Sequence, residues 1–382
     1  MKFLCDKDTL VSAATTAARA TAPRSPVPAL EGLLIEATER GFVRVTGYDL
    51  KTGIVSEREA RVSESGAVIL NARLFGDIIR RLPGDEVSVS VSAGTRVKIE
   101  SGVASYNLIG SLAEDYPALP GTEGQTTMKI SAPLLRDMLT RTLFAVATDE
   151  TKPLYMGAMF ETEKTTLTIV ASDGFHLAMR REELSSETES NSFVVPGSAL
   201  SEVEKILAQA SPEDETEIIV GEKHVTFKNG ETLLISRRLV GDYVNYRTAV
   251  PATSKYEITV SRREVCDAVE RVALIINDKA RSPVRCVFGD GTLFLTVNSA
   301  IGNASDECAI DGDGEKLEIG FSNRYLVETL KVAPSDTLKL ALTAPNKICI
   351  ITSGEKEDDS FLYLIMPVRL GQIEQREGSG DD

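Results

Sequence analysis

The chain is poor in the residues that carry most enzyme chemistry. Its 382 residues include only two histidines, His176 and His224. No G-x-S-x-G elbow and no phosphate-binding P-loop occurs, so neither a strained nucleophile nor a phosphate cradle has its sequence signature. Five cysteines (Cys5, Cys266, Cys286, Cys308, Cys349) are scattered with no C-x-x-C pair. Their odd number does not complete a disulfide framework, and no zinc spacing exists. They read as small buried apolar residues. The run DGDG, Asp311 to Gly314, is like the start of a calcium loop, but the loop's spacing puts Ser322 where the closing acid belongs. It reads instead as a hairpin turn. The longest apolar run, Phe361 to Val368, is far short of the roughly 20 residues of a membrane helix. The start, MKFLCDKDTL, carries Asp6 and Asp8 where a signal peptide would be apolar. These absences predict a cytoplasmic, non-catalytic protein with no metal and no cofactor. One enzyme reading stays open, a hydrolase built on Asp173 and His176, and it lacks a nucleophile.

What is present is an ordinary globular composition, 42% hydrophobic and 26% charged, with a formal net charge of −15. Taken alone, that charge argues against nucleic acid, which is bound through Lys and Arg. Distribution matters more than the sum. Six segments have helical spacing, starting at Asp8, Asn71, Ser131, Gly197, Ser261 and Ser322, about 60–65 residues apart. Leu74, Ile78, Ile79 and Leu82 show the pattern. Asn71, Ser131 and Ser322 are good N-caps, and Ser261 with Glu264 reads as a capping box. These segments hold twelve Arg and Lys against nine Asp and Glu, so the rest of the chain carries the whole negative excess. If the helices share one surface, that surface is cationic. It would suit contact with a polyanion that ignores base sequence.

Between the helices lie short β-branched runs such as GFVRVTGYD, EVSVSVSA, TLTIVASD and TLFLTVNS, separated by Gly, Asn and Asp turns. The order is a strand, a helix, then several strands, six times over, which is α+β. A longer period overlies it. The stretch from Ile130 and the stretch from Val260 share Ser131 and Ser261, Val146 and Ile276, Asp149 and Lys279, Pro153 and Pro283 at one offset. LCDKDTLVSAATTAARATAPRSP, from Leu4, answers them. Each copy continues into a strand and a polar turn: TGYDLKTGI, ASDGFHLAM, VNSAIGNAS. The chain thus reads as three tandem domains, at 1–124, 125–252 and 253–370, each a pseudo-duplicated β-α-β-β-β unit. Residues 371–382 form a polar, Gly-rich tail expected to be disordered. The last strand, FLYLI, is apolar without alternation, so both of its faces should be covered. Pro367 should stop that strand, since it cannot donate to a ladder.

The three repeats, the start MKF, the turn SDGFHLA at 172–178, GDYVNYR at 241–247 and the closing YLIMPVRL together resemble the bacterial sliding clamps, the beta subunits of DNA polymerase III. The likeness covers residues 1–370. It implies three DNA-clamp domains per chain and a head-to-tail homodimeric ring with helices lining the central hole. Duplex DNA would be encircled without regard to sequence. The implied role is to tether the replicative polymerase as a processivity factor. Partners would be the polymerase III core and other polymerases, the clamp loader and repair proteins, and no membrane.

The resemblance also implies sites. A partner-peptide pocket would involve Tyr155, Ser172, Gly174, Phe175, His176, Leu177, Val244, Thr248, Leu364, Met366, Pro367 and Val368. A few apolar anchors of an extended peptide would dominate its binding energy. DNA contacts would fall on Arg24, Arg73, Lys152 and Arg324, and the dimer seam on Tyr106, Leu274 and Ile275. The chain departs from the family at the pocket. Val244 stands where Pro is common, Thr248 where a basic residue is common, and Phe175-His176 where His-Arg is common. Two cations are thus missing from the rim, which implies an altered peptide preference. The alternative is a specialised second clamp, or a peptide-binding adaptor of the same fold.

Overall fold

The computed structural model describes the chain apart from residues 93, 94, 122, 123, 125, 252, 277–281, 356, 357 and 371–382. The expected tail, the boundary residues 125 and 252, and Lys279 lie outside the described residues. The chain divides into two compact units. One holds residues 1–139, 160–167 and 183–240; the other holds 140–159, 168–182 and 241–382.

The first unit begins with β1 (Lys2–Asp6), α1 (Lys7–Ala18), β2 (Gly32–Ala37), β3 (Phe42–Tyr48), β4 (Thr52–Glu59), β5 (Arg61–Glu64), β6 (Gly66–Asn71), α2 (Ala72–Arg81), β7 (Glu86–Ser92), β8 (Arg96–Ser101) and β9 (Ala104–Ile109). Helices α1 and α2 each start where a side chain captures a free N–H. Asp6 accepts from the Thr9 amide at 2.8 Å, and Asn71 from the Leu74 amide at 3.0 Å. The buried face of α1 is Leu10, Ala13, Ala14 and Ala17, mostly small, so the helix lies close on the sheet. Gly47 of β3 permits that approach, because a Cβ there would stand 1.9 Å from the Ala17 carbonyl oxygen. Phe3, Leu10, Leu33, Val43, Phe75, Ile79, Val87 and Ile99 share one core between helices and sheets. Burying each of these larger side chains stabilises by roughly 1.5–3 kcal/mol.

The middle of the chain runs β10 (Thr126–Ser131), α3 (Ala132–Thr140), β11 (Gly157–Ser172), β12 (His176–Pro196), α4 (Gly197–Leu207), β13 (Glu215–Val220), β14 (His224–Asn229) and β15 (Thr232–Arg237). Strands β11 and β12 each contribute residues to both units. They fit the repeat when each is read as two strands run together. Lys164, at φ 55°, marks the break in β11. In the first unit one sheet has the order β5-β1-β7-β8-β9. The other has the order β10-β13-β14-β15-β4-β3-β2-β6. The antiparallel pairing of β15 with β4, Thr232 opposite Ser56, joins strands of two repeats in one sheet.

The remainder is α5 (Tyr246–Ala249), β16 (Tyr256–Ser261), α6 (Arg262–Ala273), β17 (Val284–Gly289), β18 (Thr292–Ser299), β19 (Gly302–Asp311), β20 (Leu317–Phe321), α7 (Asn323–Val332), β21 (Thr337–Leu342), β22 (Cys349–Ser353) and β23 (Phe361–Ile365). The sheet order is β11-β12-β23-β22-β21-β16-β19-β18-β17-β20. Strand β23 is therefore interior, with β12 on one edge and β22 on the other, and α7 packs near it. Phe361, Tyr363, Leu364 and Ile365 are all buried, so both faces of the strand are covered and its sequence does not alternate.

Several expectations need correction. The DGDG run connects β19 to β20, which are not neighbours in the sheet, so it is a crossover and not a hairpin turn. The third helix stops at Thr140 instead of running to Ala145; a separate short 3-10 turn covers Leu143–Ala145. Arg141, just past its end, donates to the Val332 carbonyl. Ser322 occupies the N-cap of α7, but its side chain makes no cap bond; Ser261 does, accepting from the Glu264 amide at 3.4 Å. Pro367 does end β23, yet pairing resumes beyond it. The Val368 N–H donates to Gly320 O at 2.8 Å, reaching the outer edge of β20. All five cysteines are free and buried, and burial pushes the Cys5 and Cys308 thiols up to about 11.

Candidate functional site

Strands β11 and β12 meet at a turn whose shape is dictated by Asp173. Its Oδ1 accepts from the Phe175 N–H at 2.7 Å and the His176 N–H at 2.9 Å. Ser172 completes the turn: its hydroxyl donates to His176 O (2.8 Å) and accepts from the Gly174 N–H (3.1 Å). Gly174 sits at φ 89°, which a side chain would strain. The consequence is a division of labour between neighbours. Phe175 is turned outward and is 56% exposed, while His176 is folded under and is 3% exposed.

Beneath the turn the His176 ring stacks on Tyr325 of α7, centroids 4.3 Å apart, with Phe144 at 5.5 Å. His176 Nδ1 lies 2.9 Å from Asp173 Oδ1, without the alignment of a good hydrogen bond, and Nε2 has no partner among the described residues. The Tyr325 hydroxyl donates to Asp173 Oδ2 at 3.0 Å. Burial alone would raise the Asp173 carboxyl. The His176 ring and the backbone N–H groups of His176 and Phe175 outweigh it and hold the group well below the usual carboxylate range. Burial, then the charge of Asp173, pushes the Tyr325 phenol up. Asp173 is saturated, His176 is out of reach of solvent, and the nearby Ser172 hydroxyl is engaged. This is the chemistry of a held turn, not of a general base awaiting a substrate.

The last strand forms the adjoining wall. His176 pairs with Ile365 and Leu177 with Leu364, and the Met366 N–H donates to Phe175 O at 2.8 Å. Met366 is 42% exposed, so two large apolar side chains, Phe175 and Met366, reach solvent from adjacent backbone. Tyr155 and Tyr243 lie edge to face, 5.8 Å apart. The Tyr243 hydroxyl accepts from the Ser172 N–H and donates to Gly157 O, both at 3.1 Å. Val244, which follows it, and Pro367 and Val368 are half-buried. Thr248 is exposed, and its hydroxyl donates to its own helix's Asn245 carbonyl at 2.8 Å.

Of the twelve residues expected at a pocket, the structure gathers the turn, Tyr155 and the end of the chain at one place. Ser172, His176, Leu177 and Leu364 are buried and support the wall from behind. Lys152, expected at DNA, stands with its Nζ 5.5 Å from the ring centres of both Tyr155 and Phe175. Arg324 lies over the Tyr325 ring at 5.1 Å and pairs with Glu328 at 3.6 Å. Arg24 is exposed, and Arg73 is 92% exposed beside Asp77 at 4.0 Å. Such pairs along one helix are worth about 0.3–0.5 kcal/mol and leave the cations available to a phosphate. Of the seam residues, Tyr106 is 38% exposed on β9, the edge strand of its sheet, and Leu274 is 83% exposed. Ile275 is half-buried.

Sequence reasoning missed Tyr325, Phe144 and Tyr243. Tyr325 and Phe144 lie far from the turn in sequence and reach it only through packing. Tyr243 could have been found, because Asp242-Tyr243 repeats Asp115-Tyr116 and both tyrosines precede a joint. Among the described residues no group of His, Cys, Asp and Glu could hold a metal ion, and no helix is long and apolar enough to cross a membrane.

Three family models match the chain in order. They are the N-terminal, central and C-terminal domains of the DNA polymerase III beta subunit, at residues 1–120, 129–245 and 247–369. The beta sliding clamp of Bacillus subtilis is 32% identical over 381 residues, covering 97% of this chain and 100% of that protein. The beta sliding clamp of Staphylococcus aureus is 30% identical over 379 residues, covering 97% and 99%. The crystal structure of the Bacillus subtilis DNA polymerase sliding clamp superposes with a TM-score of 0.92 at 30% identity, over 97% of this chain and 100% of that one. A Pseudomonas aeruginosa sliding clamp bound to griselimycin gives 0.90 at 25% identity, with the same coverage.

Proposed function

The chain belongs to the DNA polymerase III beta subunit family, and on that premise we propose that it is a sliding clamp. The domains are those at 1–124, 125–252 and 253–370. Two copies close head to tail into a ring, with Tyr106 of one facing Leu274 and Ile275 of the other. The ring encircles duplex DNA in the cytoplasm and performs no catalysis. The observation that carries this reading is the half-unit repeated through the described residues, matched over 97% of the chain by a clamp structure. A ring holds DNA by topology, so it needs no base contacts. Arg24, Arg73 and Arg324 supply weak phosphate contacts that permit sliding.

The exposed pair Phe175 and Met366, with Tyr155, Val244 and Pro367 around it, is the docking site for partner peptides. Polymerase III and other polymerases, the clamp loader and repair proteins dock there in turn. The wall is apolar and its backbone is hydrogen-bonded, which suits an extended peptide with apolar anchors. The rim lacks a cation at Thr248, and this favours a partner set differing from that of the family's common pattern.

Loading onto nicked circular DNA tests the function. The protein should stay on the circle through gel filtration in moderate salt and run off once the circle is cut. A strict monomer that leaves both forms at the same rate sinks the proposal. Charge reversal at Arg24, Arg73 and Arg324 should weaken retention and lower the salt slope by about one per lost phosphate contact. A peptide adaptor that never encircles DNA would not respond.

A further inference from the structure

Around the docking turn the bonds form a closed circuit. Asp173 Oδ1 holds the Phe175 N–H at 2.7 Å, and Phe175 O accepts from the Met366 N–H at 2.8 Å. Two residues later the Val368 N–H donates to Gly320 O at 2.8 Å. Gly320 leads within a few residues into α7, and Tyr325 on the first turn of α7 returns to Asp173 Oδ2 at 3.0 Å. Every other link is covalent or involves a backbone group. The bond from Tyr325 to Asp173 is the one hydrogen bond of this circuit made between two side chains.

We infer that the Tyr325 hydroxyl is a positioning group for the docking site, fixing the separation of Phe175 and Met366 before a peptide arrives. The inference rests on the docking reading above. Its physical basis is preorganisation: a peptide that needs both apolar side chains in place does not have to order them on binding. The comparable turn at Asp49 shows that the tie is additional to turn formation. Asp49 Oδ1 accepts from the Lys51 and Thr52 N–H groups at 2.8 and 2.6 Å, and no helix side chain reaches that carboxylate among the described residues.

The test uses the full chain and a fluorescein-labelled peptide with leucine and phenylalanine anchors, read by fluorescence anisotropy. Tyr325→Phe keeps the ring and its stack on His176 and removes only the hydroxyl. It should weaken binding about tenfold, close to the lower end of what a hydrogen bond to a charged group contributes. Asp173→Asn keeps an oxygen for the two turn amides and turns its amide nitrogen to the Tyr325 hydroxyl, which exchanges a charge-assisted bond for a weaker neutral one. The double variant should bind no worse than the weaker single. Hydrogen exchange should quicken at the Met366 amide in Tyr325→Phe but not along the pairing of β16 with β21. Binding within twofold of the unsubstituted chain, multiplicative effects, or quickening spread over the whole unit would each overturn the inference. Met366→Ala separates the two levels. If it leaves binding unchanged, the docking reading fails; if it weakens binding while Tyr325→Phe does not, only the positioning role fails.

Discussion

The turns at Asp49 and Asp173 use one device for two ends. In each, an aspartate oxygen accepts the N–H groups two and three residues ahead, and the next residue has positive φ: Leu50 at 72°, Gly174 at 89°. In each, a tyrosine from the following joint is tied to strand backbone. Tyr116 donates to Thr46 O at 3.3 Å, and Tyr243 to Gly157 O at 3.1 Å. The difference lies in what fills the space. At the first turn Ala29, Leu30, Tyr48, Ile69 and Tyr116 form a closed cluster with Leu119 against it. At the second, Ser172 and His176 are packed below, and Phe175 and Met366 are left in water. On the docking reading proposed above, the second turn serves because its own chain leaves Phe175 and Met366 uncovered side by side.

The largest test of that contrast removes the two aspartates. Asp173→Ala strips acceptors from two amides and a phenol and leaves His176 buried without its partner. It should cost about 1.5–3 kcal/mol, the range for hydrogen bonds to a charged group. Asp49→Ala loses only the two amide bonds, about 1–2 kcal/mol by analogy with a lost cap. Urea denaturation followed by circular dichroism measures both. Equal losses would mean that the ties to His176 and Tyr325 carry no energy.

The second test inverts the first. Phe175→Ala or Met366→Ala should weaken peptide binding by about tenfold or more, as for central anchors, with little loss of stability because both side chains are already half in water. Leu119→Ala should do the opposite. It should destabilise by roughly 1–2 kcal/mol, in proportion to its partial burial, and leave the peptide unaffected. Thermal unfolding and anisotropy on the same samples separate the two quantities. A Leu119→Ala chain that lost peptide binding would show that the first joint also takes part in docking.

How far sequence reasoning reached follows from the same pair of turns. Both were legible, as TGYD and ASDG, because a turn is written in adjacent residues. So were the six long helices and the α+β repeat, which depend on periodicity. The site itself was legible only through resemblance. Nothing local distinguishes an outward Phe175 from a buried His176, since that choice is made by Tyr325, Phe144 and the end of β23. The long strands β11 and β12 were hidden for a related reason. Their central stretches, 161–166 and 181–192, are rich in Glu, Thr and Ser, and their pairing partners, not their own pattern, keep them extended. The DGDG run was misread because a hairpin and a crossover begin with the same turn residues.

A smaller effect concerns pH. The folded Asp173 carboxyl lies below its unfolded value, so its contribution to stability is fully present above about pH 4 and is lost as pH falls towards the depressed folded value. The difference in unfolding free energy between the unsubstituted chain and Asp173→Asn should therefore be largest near neutral pH and shrink on acidification towards pH 3. A difference that stays constant over that range would place Asp173 outside any charge-dependent contact.

The smallest effect lies in the residue after each aspartate. Leu50 holds φ 72° although it has a Cβ, which costs about 1–2 kcal/mol relative to glycine in the left-handed region. Glycine in turn loses about 0.5–1 kcal/mol more conformational freedom on folding. Leu50 is 51% exposed, so its replacement gives up little burial. Leu50→Gly should therefore stabilise by about 0.5 kcal/mol, and Gly174→Ala should destabilise by a similar or slightly larger amount. A Cβ on Gly174 would lie 3.0 Å from Lys152 Nζ, the tip of a flexible side chain that can move aside. Gly174→Ala should thus cost backbone strain and displace Lys152 from the Phe175 ring, and peptide binding should fall more than stability does. If stability falls and binding does not, glycine is there for the turn alone, and the two turns are more alike than their surroundings make them.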